Sequence, residues 1–91
     1  MNPADTESVG SVSLEEALAW IAEMFEEPAG RLDRETPRSE IEAWDSLGQL
    51  VLMSGLDQRF GIQLSQEELS SLASVGDILH ALKAHNRLLD A

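Results

Sequence analysis

The stretch "WDSLGQLVLMSGLDQRFGIQLS", Trp44 to Ser65, decides the fold. From Leu47 to Phe60 it contains no proline, and Leu47, Leu50, Val51, Leu52, Met53, Leu56 and Phe60 recur at helical spacings. Gly61 follows where a left-handed residue closes a helix. These apolar positions cover more than one stripe, so the helix over 47–60 is expected to be central. Gly55 sits mid-helix at a cost of about 1 kcal/mol relative to alanine, which points to close approach of a neighbour. The start of the helix admits two readings. In the first, which local pattern favours, Ser46 is the N-cap and Gln49, three residues on, completes a capping box. In the second, Asp45 caps by accepting from the Gly48 N–H, and Ser46 moves to the first helical position. Its hydroxyl then projects at the positive end of the helix, where an attached phosphate is well tolerated.

Working outward, Leu14, Leu18, Ile21 and Phe25, with Ala17 and Met24, form one face of an earlier helix. Ser13 and Glu16 mark its start as a capping box, and Pro28 and Gly30 stop it. Residues 1–12 are polar, small and acidic and are expected to be a disordered tail before a domain over 13–91. Between Glu27 and Trp44 only Leu32, Ile41 and Trp44 are large and apolar, which predicts a long loop pinned at those three points. Beyond Gly61, Ser65 with Glu68 opens a short third helix, and Ser74 with Asp77 opens a fourth whose face is Val75, Ile78, Leu79 and Leu82. No strand-period run appears. The fold class is all-α: a small four-helix bundle with a long first loop and a short third helix.

Composition narrows the function. A chain of 91 residues fits one domain and is too small for a deep catalytic cavity. The net charge of −11, from 17 acids against 6 bases, argues against a nucleic-acid partner, which needs a basic footprint. There is no cysteine, so disulfides and thiolate metal sites are excluded, and any thiol chemistry would need a cofactor. No apolar run reaches a membrane span and the N-terminus lacks the features of a signal peptide, so a cytoplasmic protein with no membrane association is expected. His80 and His85 are five apart on different helix faces, which does not suit a metal. "WDSLG" is not the G-x-S-x-G of a serine hydrolase.

The residues from Asp45 onward resemble the acyl carrier proteins, small acidic four-helix domains modified on the serine of an Asp-Ser-Leu motif. Asp45, Ser46 and Leu47 match that motif, Leu52, Leu56 and "RFGI" (Arg59 to Ile62) fall at the family's spacing, and the acidic short helix at Glu67 and Glu68 follows. The likeness in layout spans about residues 13 to 89. It implies that a phosphopantetheinyl transferase moves a 4'-phosphopantetheine arm from coenzyme A onto Ser46, beside Asp45 and Leu47. It implies further that the arm's thiol carries an acyl group as a thioester between acyl-loading and acyl-processing enzymes, and that the chain itself catalyses nothing. The absence of cysteine agrees with a sulfur supplied by the arm. Because the chain runs from Met1 to just past the fourth helical pattern, a free-standing, monomeric carrier is expected.

Glu42, Gln49, Leu50, Val51, Asp57, Glu67 and Glu68 are the expected partner-docking positions around that serine. The acids, with Glu40 and Asp45, either form a solvated face or steer basic partners by their summed field. Here the chain departs from better-known members, whose second helix is rich in acids. This one offers Gly48, Gln49, Val51, Gln58 and Arg59 and keeps only Asp57, so docking should be less electrostatic and the pathway a specialised one, such as polyketide or other secondary metabolism. Val51 is either an apolar docking contact or extra core. Arg31, Arg34 and Arg38 are expected to pair with acids such as Asp33, Glu35 or Glu40. Trp20 and Trp44 are read as anchors, with Trp44 near enough to Ser46 to touch an arm. Leu52, Met53, Leu56, Phe60 and Leu79 are the expected interior. Two rivals remain: a peptidyl or aminoacyl carrier, and an unmodified helical adaptor in which Ser46 only caps.

Overall fold

The computed structural model describes residues 11–28 and 30–89. Four α-helices follow in order: α1 Leu14–Met24, α2 Ser46–Phe60, α3 Gln66–Ser70 and α4 Val75–Ala84, with a 3-10 turn at Arg38–Glu40 in the first long connection. Among the described residues the only β pairings are two isolated bridges, Val12 with Leu88 and Pro37 with Ser74.

Each helix starts where a short polar side chain satisfies an otherwise orphaned N–H. Ser13 and Glu16 exchange both bonds of a capping box, as do Ser65 and Glu68. Ser74 accepts from the Asp77 N–H, while the Asp77 carboxylate reaches back to the Ala73 N–H at 2.8 Å. Gly61, at φ 68°, takes the left-handed position that ends α2, and its N–H closes on the Asp57 carbonyl. Ala17, Ile21 and Phe25 from the α1 segment, Leu52, Leu56 and Phe60 from α2, and Ile78 and Leu82 from α4 meet in one apolar core. No polar or charged side chain among the described residues is buried.

The first connection is long because it does structural work at both ends. Leu32, Ile41 and Trp44 are buried at the three expected pinning points. Its backbone also covers the start of α4: the Val75 and Gly76 N–H groups donate to the Thr36 and Arg34 carbonyls, each at 2.9 Å, and the Arg38 N–H donates to Ala73 at 2.8 Å. Two first-turn donors of α4 therefore find partners in the loop instead of in water.

Two expectations change. Residues 1–10 of the expected tail lie outside the described residues, but Ser11 and Val12 do not behave as tail. Val12 is buried, and it exchanges backbone bonds with the other terminus, Val12 N–H to Arg87 at 2.9 Å and Leu89 N–H to Val12 at 2.8 Å. The packed region thus begins before Ser13. Helix α2 is also not apolar because it is surrounded. It buries a single i, i+4 stripe, Gly48, Leu52, Leu56 and Phe60, whereas Leu47, Leu50, Val51 and Met53 are exposed. Met53 is therefore not part of the interior. In a bundle this small, α2 has neighbours on one side, so its remaining apolar residues form surface.

Candidate functional site

Asp45 has an extended backbone, and its carboxylate accepts from the Gly48 N–H at 2.9 Å while its carbonyl accepts from the Gln49 N–H at 2.8 Å. That is the N-cap, and Ser46 is the first residue of α2. Of the two readings of the helix start, the one with Asp45 as cap holds. Ser46 is exposed, and its hydroxyl has no hydrogen-bond partner among the described residues. Nothing local occupies the oxygen, and it stands at the positive end of a fifteen-residue helix.

Gly48 explains how the preceding loop reaches this point. A Cβ there would collide with the Ala43 carbonyl oxygen and come within 3.5 Å of the Phe25 ring. Only glycine lets the loop backbone lie against the first turn of α2. Trp44, buried and stacked on Phe25 with centroids 5.2 Å apart, anchors the loop two residues before the serine. The Arg38 guanidinium lies 5.7 Å from the Trp44 ring centroid, and its Nε donates to the Trp44 carbonyl at 3.0 Å. Arg31 pairs with Glu27 at 3.3 Å. Arg31 and Arg38 thus find partners other than the acids expected for them; Arg38 fixes the tryptophan that sets up the site.

Gln49 takes a different part from both that sequence reasoning offered. Its Oε1 accepts from the Trp44 indole N–H at 2.7 Å, and its Nε2 donates to the Leu69 carbonyl at 2.6 Å. The side chain is a brace that joins the loop, the first turn of α2 and the end of α3. It neither completes a box with Ser46 nor points outward with a free amide. The remaining expected docking residues are exposed: Glu42, Leu50, Val51, Asp57, Glu67 and Glu68, with Leu47 at 70% and Leu50 at 55% exposure beside the serine. Glu68 is nonetheless engaged in its capping box. The Ser65 backbone N–H donating to its carboxylate is the largest cause that holds it below the ordinary glutamate value of 4.5; the Ser65 side-chain bond and the nearby His85 add to the effect. Among the described residues no group of three or more His, Cys, Asp or Glu side chains could hold a metal, and no helix is long and apolar enough to cross a membrane.

Comparison with known proteins bears on this geometry. No family model matches the chain. Over 41 residues it is 39% identical to the acyl carrier protein of Clostridium acetobutylicum, a stretch covering 45% of this chain and 53% of that protein. The match thus spans about half the length of that relative. The solution structure of holo acyl carrier protein from Geobacter metallireducens aligns at a TM-score of 0.65 and 32% identity, over 77% of this chain and 82% of that one. The chain belongs to the acyl carrier protein family. Acyl carrier proteins are non-catalytic carriers, and in this family member an apolar core supports a second helix whose first residue, Ser46, is exposed.

Proposed function

We propose that Ser46 bears a 4'-phosphopantetheine arm, transferred from coenzyme A by a phosphopantetheinyl transferase, and that the chain passes thioester-bound acyl groups between acyl-loading and acyl-processing enzymes. The observation that carries this reading is the division of labour at the start of α2: Asp45 caps, so the Ser46 hydroxyl is exposed and unengaged in a chain of this family. The residues suit the group. A phosphodiester on Ser46 would sit at the positive end of α2, next to exposed Leu47, with no side chain to displace. When bound, the arm supplies the thiol that the chain lacks. The protein's own part is to hold the serine on a rigid turn and to present the faces that partners read.

The α2 face is more apolar than acidic, with Asp57 the one acid in that helix. Leu47, Leu50 and Val51 are exposed around the serine, with Glu42 and Asp57 flanking them and Glu67 on α3. This supports docking through apolar contact with modest electrostatic steering, and a dedicated, specialised pathway such as polyketide or other secondary metabolism. In this reading the carrier domain works as a cytoplasmic monomer. Incubation with coenzyme A and a broad-specificity phosphopantetheinyl transferase, followed by intact mass measurement, tests it. A gain equal to the arm, absent in Ser46→Ala, is expected. No gain alongside an active control carrier would overturn the reading and leave the adaptor alternative.

A further inference from the structure

Helices α1, α3 and α4 each begin on a serine followed three residues later by an acid, and in each the serine is the cap: Ser13 with Glu16, Ser65 with Glu68 and Ser74 with Asp77. Ser46 and Gln49 repeat that spacing at the start of α2, yet there the pattern is broken. Asp45 caps, and Ser46 is exposed at the first helical position. We propose that the Trp44 indole N–H is what breaks it, and that Trp44 is thereby a positioning residue for transfer of the arm, keeping the Ser46 hydroxyl out of the cap. The inference rests on the arm reading above and adds which residue readies the serine.

A capping box on Ser46 needs two groups from Gln49: its backbone N–H, to donate to the serine hydroxyl, and its side-chain oxygen, to reach back to the Ser46 N–H. Both are committed elsewhere. The Gln49 N–H donates to the Asp45 carbonyl at 2.8 Å. The Gln49 Oε1 accepts from the Trp44 indole at 2.7 Å, and Nε2 donates to the Leu69 carbonyl at 2.6 Å, so the side-chain amide is held at both ends. The indole is itself fixed. Its ring is buried and stacked on Phe25, with centroids 5.2 Å apart and planes 18° apart. The Arg38 guanidinium lies 5.7 Å from the ring centroid and donates from Nε to the Trp44 carbonyl at 3.0 Å. With ring and carbonyl both held, the indole N–H stays on Gln49. The consequence falls on the serine oxygen. In the transfer that oxygen forms a bond to the phosphorus bearing the pantetheine, the pyrophosphate P–O bond of coenzyme A breaks, adenosine bisphosphate leaves and the serine proton passes to a base of the transferase. A capping serine has its oxygen turned onto the helix N–H groups; Ser46 at the first helical position presents it outward.

The test compares wild type, Trp44→Phe, Gln49→Leu and the double variant. Each is treated with coenzyme A and a phosphopantetheinyl transferase and followed by the rate of mass gain. Amide spectra of the untreated proteins report the cap through Gly48, whose N–H donates to the Asp45 carboxylate in the wild type. Trp44→Phe keeps a ring on Phe25 but releases Gln49. It is expected to slow transfer about two- to tenfold, the effect of exchanging one hydrogen bond, with KM for coenzyme A unchanged, and to move the Gly48 amide. Gln49→Leu breaks the same bond but also removes the side chain that a Ser46 box needs, so it and the double variant are expected to transfer faster than Trp44→Phe. Benzothienylalanine in place of Trp44 keeps the bicyclic shape and removes only the N–H; it should behave as Trp44→Phe does, and it decides the matter if the phenylalanine variant does not fold. Transfer at the wild-type rate without the indole N–H, Gln49→Leu as slow as Trp44→Phe, or an unmoved Gly48 amide would overturn the inference and leave the arm reading intact. No mass gain in the wild type beside an active control carrier would overturn the arm reading and this inference with it.

Discussion

Gln49 is the residue on which the geometry before Ser46 most depends, because one amide satisfies two groups on different segments, the indole N–H of buried Trp44 and the Leu69 carbonyl. Replacement by leucine removes the partner of the Trp44 indole N–H and leaves the Leu69 carbonyl with only the longer bond from the Leu72 N–H, at 3.2 Å. Gln49→Leu is expected to cost about 1–3 kcal/mol in denaturant unfolding and to shift the Trp44 indole resonance. Gln49→Glu should fail in the same direction, since a carboxylate cannot donate to the Leu69 carbonyl. A Gln49→Leu protein as stable as wild type, with the indole unmoved, would show that the brace is idle. None of this was legible in the sequence. A glutamine three residues after a serine matches a capping box, and only the fold brings Leu69, twenty residues on, within reach. The choice between Ser46 and Asp45 as cap was open for a related reason: both are good caps, and the loop anchored by Trp44 and Gly48 sets which backbone precedes the helix.

At the scale of elements, the capping boxes of α1 and α3 were readable because all their partners lie within three residues. The buried face of α2 was not, because counting apolar residues does not reveal which stripe has neighbours. Leu52, Leu56 and Phe60 are covered and Leu47 and Leu50 are not, although all are equally apolar in the sequence. Helix α3 carries a pH prediction. Its five residues depend on the box between Ser65 and Glu68, and the Glu68 carboxyl is held below 4.5 by the Ser65 N–H. Since the folded value is the lower one, the contribution is present above the unfolded value and is lost as pH falls through the folded value. The stability difference between wild type and Glu68→Gln should therefore be present at about pH 7 and shrink by about pH 3, measured by urea unfolding at each pH. A difference that is the same at both would remove the carboxylate from the account.

For the whole molecule, charge and size pointed to one small acidic domain and the resemblance of residues 45–65 to the acyl carrier proteins pointed to a carrier, and the order of helices agrees. What the sequence left open was the surface: which apolar residues of α2 face outward. That arises from packing between segments that lie far apart in the chain. The account turns on a single oxygen. Cleavage after Arg38 and Arg59 releases residues 39–59, a peptide that contains Ser39, Ser46 and Ser54. After treatment with coenzyme A and a phosphopantetheinyl transferase, fragmentation of this peptide by mass spectrometry reads directly which serine is modified. The arm is predicted on Ser46 alone; an arm on Ser39 or Ser54, or an unmodified peptide beside a fully modified control carrier, would contradict the account.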